Sequence, residues 1–361
     1  MQTRSPVAAW GKRELPSRAP GEDSRMASAP QIDASTDLHL ETILTSFDTN
    51  YAWNYGSLKE GLRDLYEKAK REQWNGTTQL PWSTPVDPES EIIPAQFNPL
   101  QDYGPFRRMS PREAVRLRHA QLSWQLSQFM HGEQGALIVA SQLVGAVPWM
   151  DAKYYAATQT MDEARHVEVF SRYLSEKLEW EWPINPNLKK LLDLVISDSR
   201  WDMKYLGMQI LIEGLAMAAF GSLYQLAQEP LVKELIHYVM KDESRHVAFG
   251  VLSLKGYYLD MPEAERRDRE EFVVEACHLM RDRLVGEEVA ASVGFDTDEV
   301  RQLVLDSPVM KMFRQSLFSR VVPNIKKLGL LTPQVRKGFE ELEILQFEDV
   351  DTEAADRALG L

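Results

Sequence analysis

Cysteine is nearly absent: Cys277 is the single one in 361 residues. That excludes internal disulfides, zinc ribbons and four-cysteine iron–sulfur clusters, and it suits a reducing cytoplasm. Positive charge is in deficit, with 41 Lys and Arg against 54 Asp and Glu and a formal net charge of −13. Such a balance argues against a nucleic-acid backbone as partner. No apolar run approaches the roughly 18–20 residues of a membrane span, so no membrane partner is expected. Sustained period-two alternation is missing, and so is an Asn-Gly hairpin between two β-rich runs. No strand–G-x-G-x-x-G–helix unit exists, so neither a nucleotide nor a flavin is expected to be bound. The opening stretch, "MQTRSPVAAWGKRELPSRAPGEDSRMASAP", has no apolar h-region. Residues 1–35 therefore read as a disordered leader.

What is present reads as helix. Apolar positions recur at helical spacing from Leu58 in "SLKEGLRDLYEKAKREQW". A proline-rich connector, "LPWSTPVDPESEIIPAQFNPL", breaks the regularity up to about residue 109. Ser110-Pro111-Arg112-Glu113 is a capping box with proline at the first helical position, which predicts a long helix running to about Gly145. Asp151 is expected to cap the next helix, which ends near "EWEWPINPN". A short helix near 187–196, a long one from Trp201 to Ala227, another from Pro230 to about Tyr258 and one opened by Pro262 follow. The fold class is all-α.

A repeat organises these helices. "DEARHV" at 162–167 returns as "DESRHV" at 242–247. On a helix, positions i and i+3 share a face, so Glu163 looks out with His166 and Glu243 with His246. Glu133 precedes Glu163, and Glu213 precedes Glu243, by the same interval of 30 residues. At 1.5 Å per residue, Glu133 and Glu163 stand roughly 21 and 18 Å from the turn between them, at similar depth in an antiparallel hairpin. Two such hairpins packed face to face make a four-helix bundle with four carboxylates and two imidazoles in its core.

Buried carboxylates need counter-charge, because each uncompensated one costs several kcal/mol. Two divalent cations cancel four glutamates, and each histidine supplies one nitrogen. Mixed oxygen and nitrogen ligation without thiolate disfavours Cu(I) and structural zinc and suits iron or manganese. A Glu from each of two helices plus Glu-x-x-His from two others is the ligand pattern of dinuclear carboxylate sites. The metal ligands are thus Glu133, Glu163, His166, Glu213, Glu243 and His246. Ligating histidines usually give their second N–H to a carboxylate. Asp162 is expected to take the proton of His246, and Asp242 that of His166, with Arg165 and Arg245 pairing to the aspartates. His131 falls on another face from Glu133; His39, His119, His237 and His278 have no paired acidic motif and read as structural or exposed.

These residues resemble the ferritin-like di-iron superfamily over roughly residues 110–260. D-E-x-R-H in both halves is most similar to bacterial multicomponent monooxygenase hydroxylases. Ribonucleotide reductase small subunits, acyl-carrier-protein desaturases and aminobenzoate N-oxygenases are further relatives. "LYEKAKREQW", "QLSQFMHGEQGA" and "SDSRWDMKYLGMQILIEGLA" look like bacterial ferritin-like or aminobenzoate-oxygenase-like proteins. Three positions depart from the relatives. Phe170 stands where reductase small subunits keep a radical tyrosine, Met217 where the hydroxylases carry a threonine, and Val239 where the aminobenzoate oxygenases add a seventh ligand.

The resemblance implies an O₂-activating non-haem di-iron oxygenase or oxidase with two Fe ions, or an Mn/Fe pair. It would act on a small organic substrate, by C–H hydroxylation or amine N-oxygenation, through a peroxo-bridged state. An acyl-chain desaturase and a ferroxidase or iron-handling ferritin-like protein are the alternatives. Electrons would come from an external donor such as a ferredoxin or reductase, and a homodimer is compatible with the larger relatives. Phe129, Ala136, Leu137, Ala140, Phe170, Ile210, Met217 and Phe220 lie one or two turns from ligands and are expected to line the substrate pocket. Gly132, Gly135 and Gly214 either leave room for substrate or permit close helix packing. Along the chain, residues 36–109 hold N-terminal helices and the connector, 110–260 the bundle, 261–338 further helices packed on it, and 339–361 an acidic, solvated tail.

Overall fold

The computed structural model describes residues 40–178, 181–283 and 285–361. The leader expected at 1–35 and His39 lie outside the described residues. Contacts divide the chain into Met1–Thr42 and Ile43–Leu361, and every described helix belongs to the second unit. Among the described residues there is no strand.

The first helix, α1 (Glu60–Arg71), buries Leu62, Leu65 and Ala69 on one face. Its own Lys59 makes no capping bond. The Asp151 carboxylate does this work from the far side, accepting the backbone N–H of Leu58 at 2.8 Å and of Lys59 at 3.0 Å and pairing with Arg63 at 2.8 Å. Asp151 was expected to cap the helix it stands in, but that helix begins at Met150. Its side chain sits inside the first turn and reaches across to satisfy another helix's orphan donors.

Four long helices follow in two hairpins: α2 (Pro111–Ala146) with α3 (Met150–Tyr173), and, after the short α4 (Pro186–Ser197), α5 (Trp201–Leu226) with α6 (Pro230–Leu254). α2 starts on the Ser110–Glu113 capping box with Pro111 at the first position. α6 starts on Glu229, whose carboxylate accepts the N–H groups of Leu231 and Val232, both at 2.7 Å. It ends at Leu254 rather than near Tyr258, because Gly256 turns the chain with φ of +78°. Two stretches wind more loosely, as π-helix: Leu174–Leu178 after α3, and Leu206–Ile212 inside α5, directly before Glu213.

By length and composition α5 is long and apolar enough to cross a membrane, contrary to the expectation that no such run exists. It is instead the central helix of the bundle, with 83% of its most apolar window buried. Gly207 lets α5 approach α4 closely: a β-carbon there would stand 2.4 Å from Val195 Cγ2.

α1 lies against α3 and α6, and α7 (Glu263–Asp282) packs on α4, on the π-helical part of α5 and on the helix Pro333–Glu341. The segment 339–361 is a correction to the sequence reading. It is folded rather than a solvated tail, with Phe339, Leu342 and Ile344 buried and a helix at Thr352–Leu359. Its acidic residues occupy the outer face, while the interspersed apolar ones close the end of the core. At the middle of the four long helices the apolar core gives way to a buried polar band.

Candidate metal centre

α2 contributes Glu133, α3 Glu163 and His166, α5 Glu213, and α6 Glu243 and His246; each is at most 5% exposed. They fall into two overlapping groups: Glu133, Glu163, His166 and Glu243, and Glu163, Glu213 and His246. In each group one ligand atom per residue lies within 4.8 Å of the others. Glu163 faces both histidines, with Oε1 3.1 Å from His246 Nδ1 and Oε2 3.3 Å from His166 Nδ1. Glu243 Oε1 does the same, at 3.1 Å from His166 Nδ1 and 3.4 Å from His246 Nδ1. Glu133 serves one side only, 3.2 Å from His166 Nδ1. The arrangement is two half-sites joined by two shared carboxylates.

The other nitrogen of each ring points away from this centre. His166 Nε2 donates to Asp242 Oδ2 at 3.0 Å, and His246 Nε2 to Asp162 Oδ2 at 3.3 Å. Each aspartate thus holds the histidine of the opposite hairpin. Arg165 pairs with Asp162 and, at 2.9 Å, with Asp242. Arg245 pairs with Asp242 and, at 3.7 Å, with Asp162. Two aspartates and two arginines leave this outer layer neutral.

The donor set suits a pair of cations. With the ring protons on Nε2, both Nδ1 lone pairs converge on carboxylate oxygens that are also lone-pair donors. Glu163 Oε2, Glu213 Oε2, both oxygens of Glu243 and Nδ1 of His246 are buried without a hydrogen-bond partner. Lone pairs so gathered repel unless something positive lies among them. Four carboxylate charges match two divalent ions, and the oxygen-plus-imidazole set suits iron or manganese. Glu133, His166, Glu213 and His246 would each serve one ion, and Glu163 and Glu243 both.

Electrostatics tell the same story. Burial and the neighbouring Glu243 push the carboxyls of Glu133 and Glu213 well above the ordinary range. Burial also opposes ionisation of Glu163 and Asp242. The facing histidines, and for Asp242 also Arg245 and Arg165, overcome it and hold both low. Against burial, the surrounding carboxylates hold His166 and His246 well above the usual imidazole value.

Several polar partners lack a signature in the motif. Gln159 donates to Glu163 Oε1 at 2.9 Å and to Glu213 Oε1 at 2.7 Å, and accepts from Gln209 at 3.3 Å. Just past α1, Trp74 Nε1 donates to Asp242 at 2.7 Å and Gln73 Nε2 to Asp162 at 2.9 Å, while Glu72 accepts from Arg245 at 2.8 Å. Gln159 was legible as the residue one turn before Glu163. Glu72, Gln73 and Trp74 stand 89 or more residues from their partners in the chain, and no spacing rule links them. The remaining described histidines stay away from the centre. His131 bonds the Trp182 carbonyl and His119 the Ser90 carbonyl, both at 2.8 Å, while His237 stacks on Tyr224 and His278 is half-buried on α7.

A small cavity of about 20 Å³ opens beside Glu133, Glu213 and Glu243. Phe129, Ala136 and Phe220 line it, as the sequence suggested; Leu137, Ala140, Phe170, Ile210 and Met217 do not. Phe170 packs behind, its ring centroid 6.2 Å from that of Phe129 and 6.0 Å from that of Phe220. Leu137 is half-buried, and Ala140 and Met217 sit in the core. Ile210 is displaced by the π-helical turn of α5. The wider winding carries Met208 and Ile212 to the cavity, so the lining runs Met208, Glu213, Ala216, Phe220. The glycines divide as well. A β-carbon on Gly132 would meet nothing within 4 Å, whereas Gly135 abuts Leu192 and Gly214 abuts Val321. Gly132 leaves space; the other two permit packing.

No family model and no curated protein matches the chain. Solved structures do. The dimanganese(II) form of NrdF from Streptococcus sanguinis aligns with a TM-score of 0.50 and 16% identity, over 80% of this chain and 99% of its own. A variant of an R2-like ligand-binding oxidase with an anaerobically reconstituted Mn/Fe cofactor aligns with a TM-score of 0.44 and 19% identity, over 74% and 92%. Identities this low speak for architecture alone. This chain has the ferritin-like all-α fold.

Proposed function

We propose that this protein is an O₂-activating non-haem dinuclear metal oxidoreductase that oxidises or oxygenates a small organic substrate. One observation carries the reading: four carboxylates and two oriented imidazoles from four helices meet in one buried place. Two iron ions, or one iron and one manganese, held there would supply redox equivalents and a seat for O₂.

The chain's own groups do the rest. Glu163 and Glu243, which face both half-sites, would hold both ions. Asp162 and Asp242 keep the ring protons on Nε2, leaving Nδ1 free to ligate. Gln159 ties Glu163 to Glu213. Phe129, Met208, Ile212 and Phe220 keep bulk water from the cavity. Electrons come from an external donor such as a ferredoxin or reductase. From His166 a contact path leads through Asp242 to Trp74, which stacks on half-buried Tyr238 with centroids 4.8 Å apart.

Anaerobic loading with Fe(II), followed by O₂, tests the reading. Oxygen uptake should saturate at about two irons per chain, and an added substrate of the right class should be oxidised in step with it. Ferric mineral far beyond two irons per chain would instead indicate iron storage, and loss of hydrogen from an acyl chain a desaturase.

A further inference from the structure

The cavity beside the metal-ligating glutamates has one feature the dinuclear centre does not use. Arg283, at the C-terminal end of α7, lines it and is only 6% exposed. Among the described residues its guanidinium has no ion-pair partner within 4.0 Å, and its Nε is buried without a hydrogen bond. Burial alone pushes its pKa down to about 10, still far above neutrality, so the group is cationic.

Around the centre the fully buried charges balance. Four glutamates match two divalent ions, and Asp162 and Asp242 match Arg165 and Arg245. Arg283 is therefore one positive charge too many in a closed, mainly apolar place. Removing such a charge from water is expensive unless an anion meets it. A planar guanidinium offers paired donors that fit a carboxylate in bidentate fashion.

Position supports the same conclusion. A larger chamber of about 440 Å³ is lined by Gln125, Leu223, Val285 and their neighbours. These stand two to four residues along the chain from Phe129, Phe220 and Arg283, which line the cavity at the metals. Arg283 thus lines the small cavity and stands two residues along the chain from Val285, which lines the roomy chamber.

From this unpaired buried cation we infer that the substrate is a small carboxylic acid whose carboxylate binds Arg283. The inference rests on the dinuclear oxidoreductase reading given above. The single uncompensated charge matches a carboxylate better than a phosphate dianion. Gly132, which leaves open space, gives the reacting carbon or nitrogen room on the metal side of that anchor.

The experiment is binding to Mn(II)-loaded protein by calorimetry, with benzoate and hexanoate each set against its neutral amide. At least one acid should bind tenfold or more tightly than its amide. Arg283→Gln should lose that preference, and Arg283→Lys should keep part of it. Equal binding of acids and amides to the unaltered protein overturns the inference, whatever the variants do. Undiminished acid binding by Arg283→Gln overturns it too, because the carboxylate would then sit on the metals alone. Without ligand, Arg283→Met should melt at or above the temperature of the unaltered protein, since it relieves an unpaired buried charge. A clear drop in melting temperature would mean that Arg283 serves the fold and would count against the inference. Metal stoichiometry separates the two levels: an unaltered chain that takes up two Mn(II) but shows no acid preference sinks the carboxylate, whereas no Mn(II) uptake by the unaltered chain sinks the dinuclear reading beneath it.

Discussion

Asp162 and Asp242 each do two things: they orient a histidine across the bundle, and they neutralise a buried arginine. Asp162→Asn keeps the shape but gives up the anion that polarises His246. Affinity at that half-site should fall about 10–100-fold while helical content is retained. Chelator competition checks this, and unchanged affinity would contradict the orienting role. Trp74→Phe is the converse case. It removes the donor to Asp242 but keeps a ring against Tyr238, and Asp242 still accepts from His166 and Arg165. The cost in urea denaturation should be about 1–2 kcal/mol, because a charged acceptor loses one of several bonds.

At the scale of elements, the π-helical turn of α5 is the local irregularity with the largest consequence. It decides which side chains reach the cavity, and it brings Gly207 against Val195. Gly207→Ala should destabilise by about 1–3 kcal/mol through overpacking. In a Val195→Ala background the added cost should shrink, and denaturation of the four proteins in that cycle measures the coupling. The helices themselves were legible, because proline and capping residues mark their starts: Ser110-Pro111 for α2 and Glu229-Pro230 for α6. The π turn was not. "YLGMQILIEG" is apolar almost throughout, so no polar marker reports its phase, and Ile210 was placed by a 3.6-residue rule that does not hold there. The folded segment beyond residue 338 was missed for a related reason. Its acidic residues dominate composition, while the few apolar ones that bury it are sparse.

For the whole molecule, the bundle acts as a frame that gathers charge in a dry place. The six clustered residues of the candidate centre were readable because a repeat at equal spacing recurs in both hairpins. The clamp from Glu72, Gln73 and Trp74 was not, because tertiary packing alone brings it to the aspartates. The same frame sets a pH dependence. Glu133, Glu213, His166 and His246 all hold protons to higher pH than they would in water. Metal ions must displace those protons, so uptake should release acid into a weakly buffered solution. Affinity should rise with pH through the neutral range and fall on acidification. Mn(II) titrations at several pH values check the sign; a pH-independent affinity would show that the ligands are already deprotonated.

The most direct test is the metal count. Anaerobic titration with Fe(II) or Mn(II), read by elemental analysis after desalting, should give two ions per chain. Glu163→Ala and Glu243→Ala, which remove the shared carboxylates, should disturb both ions, whereas Glu133→Ala and Glu213→Ala should each weaken one. A chain that binds no metal, or binds it equally well without Glu163 and Glu243, would contradict the dinuclear centre and the oxygen chemistry built on it.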